Sequence, residues 1–384
     1  MQRYIIKDIC QVISLKNKKI KQRDYKSLGK YPVIDQSQED IGGFYNDETL
    51  VIQEEPPYII FGDHTKIIKH IPFKFIAGAD GVKVLKPKKH INDKYFYYAL
   101  KSLKLPDKGY ARHFQFLLKE EIPIPPLPEQ AAIVAKIEEI FSELESGKRQ
   151  LLKAQEQLKV YRQSLLKAAF EGKLTNDNLK EGELPEGWKW VKLENIATKI
   201  TDGEHITPRR TSSGFLLLSA RNIQNGYLAL DNVDYVPEDE YLRIVKRCNP
   251  EPGDILISCS GTIGRVCNVP EHMKFVMVRS VALIKLDWVK YSSKFYEYLF
   301  QSPILQSQIE KSKKATAQAN LFLGPIKNLN ILVCSKEEQD IIALEIVNKF
   351  TVLEKMEETI TQGLQQSEML RQSILKRAFE GRLI

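Results

Sequence analysis

The chain has 384 residues, with 57 Lys and Arg against 49 Asp and Glu, five Cys and 43% apolar residues. This length predicts two or three domains, and the composition excludes a disordered chain, a collagen-like chain and a small disulfide scaffold. The sequence has no apolar run of signal-peptide or membrane-span length, so we expect a soluble, cytoplasmic protein. The odd number of Cys, with no C-x-x-C pair, argues against a disulfide framework and against a zinc site.

The first block of the chain, residues 1–128, has the pattern of an α+β domain. Short β-like runs occupy residues 58–61 and 82–85, and a helical pattern covers residues 93–103. The block ends in the proline-rich segment IPIPPLP, which leads into a very different stretch of sequence.

Residues 129–174 follow as a predicted coiled-coil helix. Apolar or small residues alternate in steps of four and three, which is a heptad pattern. This seam consists of Ile133, Ile137, Ile140, Leu144, Gly147, Leu151, Ala154, Leu158, Tyr161, Leu165 and Ala168. Pro128 suits the first helical position, and Gly172 suits a helix C-cap.

A polar linker, residues 175–185, precedes a second α+β block at residues 186–337. Its β-like runs are residues 215–218, 254–258 and 275–278, and its helical pattern covers residues 292–300. Similar patterns near the starts of the two blocks suggest that they are diverged copies of one domain.

The last segment, residues 338–384, repeats the first helix. A shift of 209 residues aligns 129–174 with 338–383 without a gap, and 18 of the 46 pairs are identical, mostly near the two ends. Ser335 with Glu338 forms a capping-box pattern, and Gly381 matches Gly172. The seam of this copy is looser, with Ile342, Ile346, Leu353, Met356, Ile360, Leu370 and Ile374 as its apolar members.

The order domain, helix, domain, helix predicts an antiparallel pair of helices with pseudo-two-fold internal symmetry. If the second domain is compact, its exit lies near its entry, and the second helix must run back along the first. A partner that recognises the repeated helix ends would find two equivalent docking places. The candidate partner-binding residues are Phe170, Glu171, Phe379 and Glu380.

The excess positive charge lies on the two blocks. Residues 1–128 carry +7 and residues 186–337 carry +4, whereas the two helical segments, 129–185 and 338–384, carry −1 and −2. This distribution favours binding of a polyanion by the blocks, although a solvated lysine surface is the alternative for any one cluster. Loop residues suited to base or phosphate contacts are the candidate DNA-binding set. They are Lys18, Lys19, His64, Thr65, Lys66, Arg112, His113, His205, Thr207, Arg209, Arg210, Arg221, Asn222, Ser260, Thr262, Arg265, Lys313 and Lys314.

Catalytic motifs are missing from the sequence. There is no phosphate loop, no H-E-x-x-H, no G-x-S-x-G, and no Asn-Pro-Pro-aromatic motif of an adenine methyltransferase. We therefore predict a protein that is not an enzyme and that holds no metal or cofactor.

Several segments together resemble the specificity subunit of type I restriction-modification systems. They are P-L-P-E-Q at the start of the first helix, the endings LLKAAFEGKL and RAFEGRLI, and the motifs S-A-R-N-I-Q-N-G and G-D-I-L-I-S-x-x-G-T-I-G-R of the second block. The first block lacks the last motif and shows Gly62 to Lys66 in the similar place.

The resemblance implies two target recognition domains that read the halves of a bipartite, asymmetric site on double-stranded DNA. It implies antiparallel helices that bind two modification (methyltransferase) subunits. It also implies that S-adenosylmethionine, ATP and Mg belong to partner subunits, which include ATP-driven restriction subunits. Two other functions stay open from the residues alone: a coiled-coil adaptor that joins two protein-binding domains, and a self-sufficient modifying enzyme.

Overall fold

A computed structural model describes residues 2–78, 81–106, 109, 112–176, 179–180, 182–313 and 320–383. The chain divides into two compact units, Met1–Leu152 with Thr361–Ile384, and Lys153–Ile360. Each of the two long helices passes from one unit into the other. The predicted segment boundaries at residues 128, 174, 185 and 337 remain predictions.

The first unit contains nine short strands and three short α-helices before the first long helix, within its described residues. The strands are β1 (Arg3–Ile5), β2 (Cys10–Ile13), β3 (Tyr31–Ile34), β4 (Gly43–Tyr45), β5 (Tyr58–Gly62), β6 (Ile68–Ile71), β7 (Ile76–Ala77), β8 (Val82–Pro87) and β9 (Glu121–Pro123). The helices are α1 (Ile6–Ile9), α2 (Asp93–Ser102) and α3 (Phe114–Leu117), and the long helix is α4 (Leu127–Phe170).

The second unit repeats this arrangement with other lengths. Its strands are β10 (Lys189–Lys192), β11 (Ala197–Asp202), β12 (Phe215–Leu218), β13 (Asp234–Val236), β14 (Ile255–Ser258), β15 (Val266–Asn268), β16 (Phe275–Met277), β17 (Val281–Leu286) and β18 (Asn330–Val333). Its helices are α5 (Glu238–Val245), α6 (Ser293–Gln301), α7 (Pro303–Lys313) and α8 (Leu323–Lys327), and the second long helix is α9 (Lys336–Phe379).

The two domains share one sheet topology. An antiparallel four-stranded sheet has the order β2-β8-β5-β6 in the first domain and β11-β17-β14-β15 in the second. A three-stranded sheet has the order β4-β3-β7 or β13-β12-β16 and contains one parallel pair. The first and last strands of each domain, β1 with β9 and β10 with β18, pair antiparallel. The predicted α+β class and the predicted duplication are confirmed.

The core of each domain lies between its four-stranded sheet and the helix that follows it. Central strands β5 and β14 are buried along their whole length, because one face packs on that helix and the other on the smaller sheet. Burial of such apolar strands contributes roughly 25 cal/mol per Å² of apolar surface and is the main stabilising term.

The long helices pack antiparallel within each unit. In the first unit the Arg371 guanidinium lies 4.4 Å from the ring centroid of Phe141, and its Nη1 is 2.5 Å from Oε1 of Glu145. In the second unit Arg162 lies 4.4 Å from the ring centroid of Phe350. Since Arg162 and Arg371 are repeat counterparts, as are Phe141 and Phe350, the repeat makes the same contact twice, and the predicted antiparallel pairing is confirmed.

The middle of the seam is looser than the heptad pattern predicts. Tyr161, Met356 and Leu370 were predicted to face the partner helix, but about half of each side chain is exposed. A Cβ on Gly363 would lie 3.1 Å from Leu151 Cδ1, so the missing side chain lets Leu151 approach the opposite helix closely. The seam therefore buries fewer of its apolar members than a regular heptad repeat would.

The predicted caps of the long helices are present. Gly172 and Gly381 have φ angles of 79° and 74°. Helix α4 ends in two backbone hydrogen bonds, from Lys173 N–H to Ala168 O and from Gly172 N–H to Ala169 O, and α9 ends in the two equivalent bonds. This Schellman pattern requires left-handed backbone, which glycine adopts without strain. At the start of α9 the Ser335 hydroxyl accepts a hydrogen bond from Glu338 N–H at 3.2 Å.

Buried glutamines fix the start of each long helix to its own domain. The Gln130 amide oxygen accepts from Asn92 N–H at 2.8 Å, and its nitrogen donates to Pro125 O at 2.7 Å. The repeat counterpart Gln339 accepts from Ser292 N–H at 2.9 Å and donates to Cys334 O at 2.9 Å. Asn92 and Ser292 are the N-cap residues of α2 and α6. The identical Glu-Gln pair of the repeat therefore ties each long helix to the helix that covers its sheet.

All five cysteines are buried free thiols, and burial raises their pKa values to about 11 or 12. None of the helices in the described part of the chain combines the length and the hydropathy needed to cross a membrane.

Candidate nucleic-acid interface

Four connections of the second domain meet at one edge of its four-stranded sheet. They are the segment after β11, the β14–β15 turn, the β16–β17 connection and the residues that lead into α8. Together they line a cleft of about 610 Å³, which includes His205, Ser260, Arg279, Asn320 and Phe322. The cleft has cationic, hydroxyl, amide and aromatic groups, which are the side chains that contact bases and phosphates.

A buried carboxylate shapes the segment after β11. Glu204 is 7% exposed and accepts hydrogen bonds from the backbone N–H groups of His205 and Ile206, both at 2.9 Å, and from Arg243 Nη1 at 2.9 Å. Burial alone would raise the pKa of Glu204, but these donors outweigh it and hold the pKa below its usual range. The charged form therefore fixes the loop that presents His205 and Thr207.

The same segment lies against the end of β16. Glu204 N–H donates to Met277 O at 2.7 Å, and Arg279 N–H donates to Glu204 O at 2.9 Å. A Cβ on Gly203 would lie 2.3 Å from Met277 O, so no other residue fits there without moving the backbone. This close approach sets the distance between His205 and Arg279.

Three predicted arginines of this domain are paired with carboxylates. Arg209 binds Asp239 with N–O distances of 2.5 and 2.7 Å, and Arg221 lies 2.9 Å and Arg210 3.3 Å from the same Asp234 oxygen. Each of these arginines is about half exposed and can still reach a phosphate, but part of its charge is already neutralised.

Asn222, a predicted base contact, has a structural role. It is 1% exposed, its Oδ1 accepts from Ser219 N–H, and its nitrogen donates to the backbone oxygens of Ala229 and Asn232. The S-A-R-N motif thus closes a capping box, and the Asn222 side chain is not accessible to a base in this conformation.

The predicted S-C-S-G-T-I-G-R loop forms the tight β14–β15 turn. Thr262 is exposed at its tip, Ser260 faces the cleft, and Arg265 is half-buried. The Ser258 hydroxyl donates to Thr262 O at 2.6 Å, which holds the turn closed. The Lys313 side chain and Lys314 lie outside the described residues.

The first domain places its predicted residues at the equivalent edge. The turn after β5 contains His64, Thr65 and Lys66, with the Thr65 hydroxyl donating to Gln36 O at 2.8 Å. His113 is fully buried; its backbone N–H donates to Asp63 O at 2.8 Å, and its ring Nδ1 lies 3.1 Å from the same oxygen. The ring therefore supports this turn and is not accessible to a base. The chain thus brings residues 62–66 and 112–114 together.

The remaining cations of the first domain are on its surface. Lys19 is exposed, and its backbone forms an isolated parallel β-bridge with Ala77 at the end of β7. Glu204 forms the equivalent β-bridge with Val278 after the end of β16. Lys18 Nζ donates to Val51 O at 3.3 Å, and Arg112 is exposed. The cation-rich loop 16–23 therefore occupies the position that residues 202–206 hold in the second domain.

The predicted partner-binding residues divide into two kinds. Phe170 is fully buried, with its ring 5.2 Å from that of Phe295, and Phe379 is 8% exposed, with its ring 5.2 Å from that of Tyr95. Both rings fill the core of their own unit and are not open to a partner. Glu171 is partly exposed and Glu380 exposed, so these carboxylates remain at the surface.

Sequence reasoning missed Arg279, which lies on the β16–β17 connection. It belongs to no motif, and only its position between two strands that end at the cleft could have pointed to it. Among the described residues, no group of three His, Cys, Asp or Glu side chains is arranged to hold a metal ion.

The comparisons with known proteins agree on one protein family. The family model described as type I restriction modification DNA specificity domain matches residues 1–154 and 185–366. The chain is 29% identical over 281 residues to the type I restriction enzyme EcoBI specificity subunit of Escherichia coli, covering 68% of this chain and 58% of that protein. It is 26% identical over 289 residues to the MjaVIII specificity subunit of Methanocaldococcus jannaschii, covering 70% and 66%. The matched region thus spans about three-fifths of the length of these relatives.

Solved structures show the same fold at low sequence identity. A chain from a study titled "Structural basis underlying complex assembly and conformational transition of the type I R-M system" aligns with a TM-score of 0.67 and 17% identity, covering 99% of this chain and 98% of that chain. The HsdS subunit from Thermoanaerobacter tengcongensis aligns with a TM-score of 0.51 and 18% identity, covering 99% and 97%.

These matches confirm the resemblance on which the sequence prediction rested. The relatives are named as specificity subunits of type I restriction enzymes. Because the family model covers most of both domains and long parts of both helices, the chain belongs to the family of type I restriction-modification DNA specificity subunits.

Proposed function

We propose that this chain gives a type I restriction-modification complex its DNA sequence specificity. In this proposal it reads a bipartite, asymmetric site on double-stranded DNA, with one half-site for each domain. The observation that carries the proposal is the repetition of one topology with different side chains at the equivalent edge. Residues 16–23 and 62–66 hold that edge in the first domain, and residues 202–206 and 259–265 hold it in the second.

The charge distribution supports this function. The segments that form the two domains carry +7 and +4, and the helical segments are slightly acidic. Phosphate contacts by such cations supply most of the affinity for DNA, while base contacts supply sequence discrimination. Two unlike domains would read two unlike half-sites, so the site should be non-palindromic.

The helices would dock two modification subunits, and the restriction subunits would join that assembly. The repeat supports two equivalent places, since both long helices end in the same Schellman cap beside an exposed or partly exposed carboxylate, Glu171 or Glu380. S-adenosylmethionine, ATP and Mg would be bound by those partners, which supports a cytoplasmic location. Base flipping and methyl transfer would also be the partners' work.

The test of DNA reading is a map of methylated adenines in cells that express this chain with its modification subunit. We expect one motif with two specified halves, separated by unspecified bases, and affinity of the purified complex that falls steeply with salt. A single contiguous palindrome would overturn the proposal. DNA affinity that does not depend on salt would favour the adaptor alternative, and methylation by the purified chain alone would favour a self-sufficient enzyme.

The docking proposal is tested by charge reversal at the helix ends. Glu171→Arg with Glu380→Arg should reduce the number of bound modification subunits, measured by native mass spectrometry. Glu156→Arg, on the exposed middle of α4, is the matched control. If the doubly substituted chain still binds two subunits as tightly as the control, the helix ends are not the docking places.

A further inference from the structure

Arg279 differs from most of the other arginines of the second domain. Five of its seven arginines form ion pairs with carboxylates, and among the described residues Arg265 and Arg279 have no such pair. The paired ones are Arg209, Arg210, Arg221, Arg243 and Arg247. Arg265 is half-buried, whereas Arg279 is exposed and lines the cleft. A guanidinium without a carboxylate partner keeps its full charge and its donors for another acceptor.

The backbone that carries Arg279 is held from both sides. Its N–H donates to Glu204 O at 2.9 Å, and Val281 N–H closes a turn on Val278 O at 3.1 Å. Cys259 N–H donates to Ser280 O at 2.8 Å, and the Ser280 hydroxyl accepts from Ala220 N–H at 3.0 Å. A side chain on such a fixed turn loses little backbone entropy on binding, which is what specific recognition requires.

The other groups of the cleft suit a base edge. His205 Nε2 donates to Asp202 Oδ2 at 2.8 Å, and Arg247 Nη2 donates to Asp202 Oδ1 at 2.9 Å, so the imidazole is oriented. Ser260 and Asn320 add a hydroxyl and an amide to the same cleft. A lone exposed cation is enough to bind a phosphate, whereas a cation on a fixed turn beside hydroxyl, amide and carboxylate groups has the neighbouring donors and acceptors that a base edge requires.

We propose that Arg279 is the guanine-reading residue of the second domain, an inference that rests on the proposed function. Its fork of donors would bind O6 and N7 of one guanine in the major groove, which is the commonest specific contact of arginine. The equivalent connection of the first domain, residues 78–81, has the sequence Gly-Ala-Asp-Gly and contains no cation. The contact therefore belongs to one half-site only.

The experiment compares four complexes, each containing this chain with its modification subunit. They carry wild-type chain, Arg279→Ala, Arg279→Lys, or the control Arg149→Ala, which removes an exposed arginine from the long helix α4, outside both domains. Methylated adenines are mapped in a randomised plasmid library, and affinities are measured for oligonucleotides that change one base of the site at a time. Arg279→Lys keeps the charge and loses the bidentate fork, so it separates base reading from phosphate binding.

For the wild type we expect a guanine in one half-site that discriminates against other bases by about 10- to 100-fold. Both Arg279 variants should lose this discrimination at that position and keep every other specified base, whereas Arg149→Ala should keep the whole motif. If Arg279→Lys retains the discrimination while Arg279→Ala only weakens binding to all sequences, Arg279 holds a phosphate and the inference is overturned. A wild-type motif with no guanine in either half also overturns it. Both of these outcomes leave the proposed function standing, provided that the wild-type motif is bipartite; the absence of such a motif would count against the proposed function itself.

Discussion

Replacement of Gln130 by Met should destabilise the first unit by about 3 kcal/mol. The Gln130 side chain is fully buried and makes three hydrogen bonds, to Asn92 N–H, Pro125 O and His90 O, at 2.8, 2.7 and 3.2 Å. Met has a similar length but cannot make these bonds, so one N–H and two carbonyl groups lose their partner. Each net hydrogen bond contributes about 1 kcal/mol. Gln339→Met breaks two bonds in the second unit and should cost about 2 kcal/mol.

The assay is urea unfolding, followed by circular dichroism, together with amide hydrogen exchange of the peptide that contains Asn92. A loss of about 3 kcal/mol should speed exchange through global or subglobal opening by about 100-fold. Ala131→Met places the same side chain on the exposed neighbouring position and should change the stability by less than about 0.5 kcal/mol. Unchanged exchange at Asn92 in the Gln130 variant would refute the argument that this amide holds the helix start.

Three further substitutions test other contacts. Phe170→Ala should cost about 3 to 5 kcal/mol in urea unfolding, because the fully buried ring packs on Phe295, whereas Glu171→Ala should leave the stability nearly unchanged. Gly203→Ala should cost about 1 to 3 kcal/mol, since its Cβ would overlap Met277 O, and equal unfolding midpoints would contradict that close approach. Lys285→Met should cost about 3 to 5 kcal/mol near pH 7, because it leaves the 2% exposed carboxylate of Asp254 without its cation. Burial already raises the pKa of Asp254 above its unfolded value, and without Lys285 that pKa rises further. As the pH falls, the folded variant therefore takes up a proton on Asp254 before the unfolded chain does, and the stability lost through the substitution should shrink toward pH 4. A loss that is the same at both pH values would show that the Asp254 carboxylate stays charged or is solvated.

Local sequence patterns predicted the long helices and their caps because those features depend on neighbours within one or two turns. Ser335, Gly172 and Gly381 act as the local rules require, and the runs at 58–61, 82–85, 215–218 and 275–278 lie within or near observed strands. The helices at Glu238–Val245 and Pro303–Lys313 were not identified, since they have only 8 and 11 residues and so offer few apolar positions from which to recognise a helical period.

The site was harder to predict because its members are distant in sequence. Arg221 meets Asp234, Arg209 meets Asp239 and Arg243 meets Glu204, pairs that are 13, 30 and 39 residues apart. A count of charges treats all of these arginines as free cations, whereas the fold leaves Arg279 as the exposed one without a carboxylate partner in the part of this domain that is described. Asn222 and His113 were predicted from residue type alone, and burial gives both a structural role.

The identical pairs of the internal repeat lie near its two ends because of how the helices pack. In the first unit the start of α4 contributes Ile133, Ile137 and Phe141 to the core, and the end of α9 contributes Leu375 and Phe379. In the second unit the end of α4 contributes Leu166 and Phe170, and the start of α9 contributes Ile342 and Phe350. These end residues thus pack against the opposite end of the other copy, and the same contacts recur in both units. A substitution at one end of one copy alters the contact in one unit and leaves the equivalent contact in the other unit unchanged. The two copies must therefore keep the same residues at their ends if both units are to keep the same contacts. The loops at the cleft edge have no such constraint between the units, because each loop is braced within its own domain. Residue differences between the two domains at this edge can therefore arise without changing the helix pairing, which is what the proposed reading of two unlike half-sites requires.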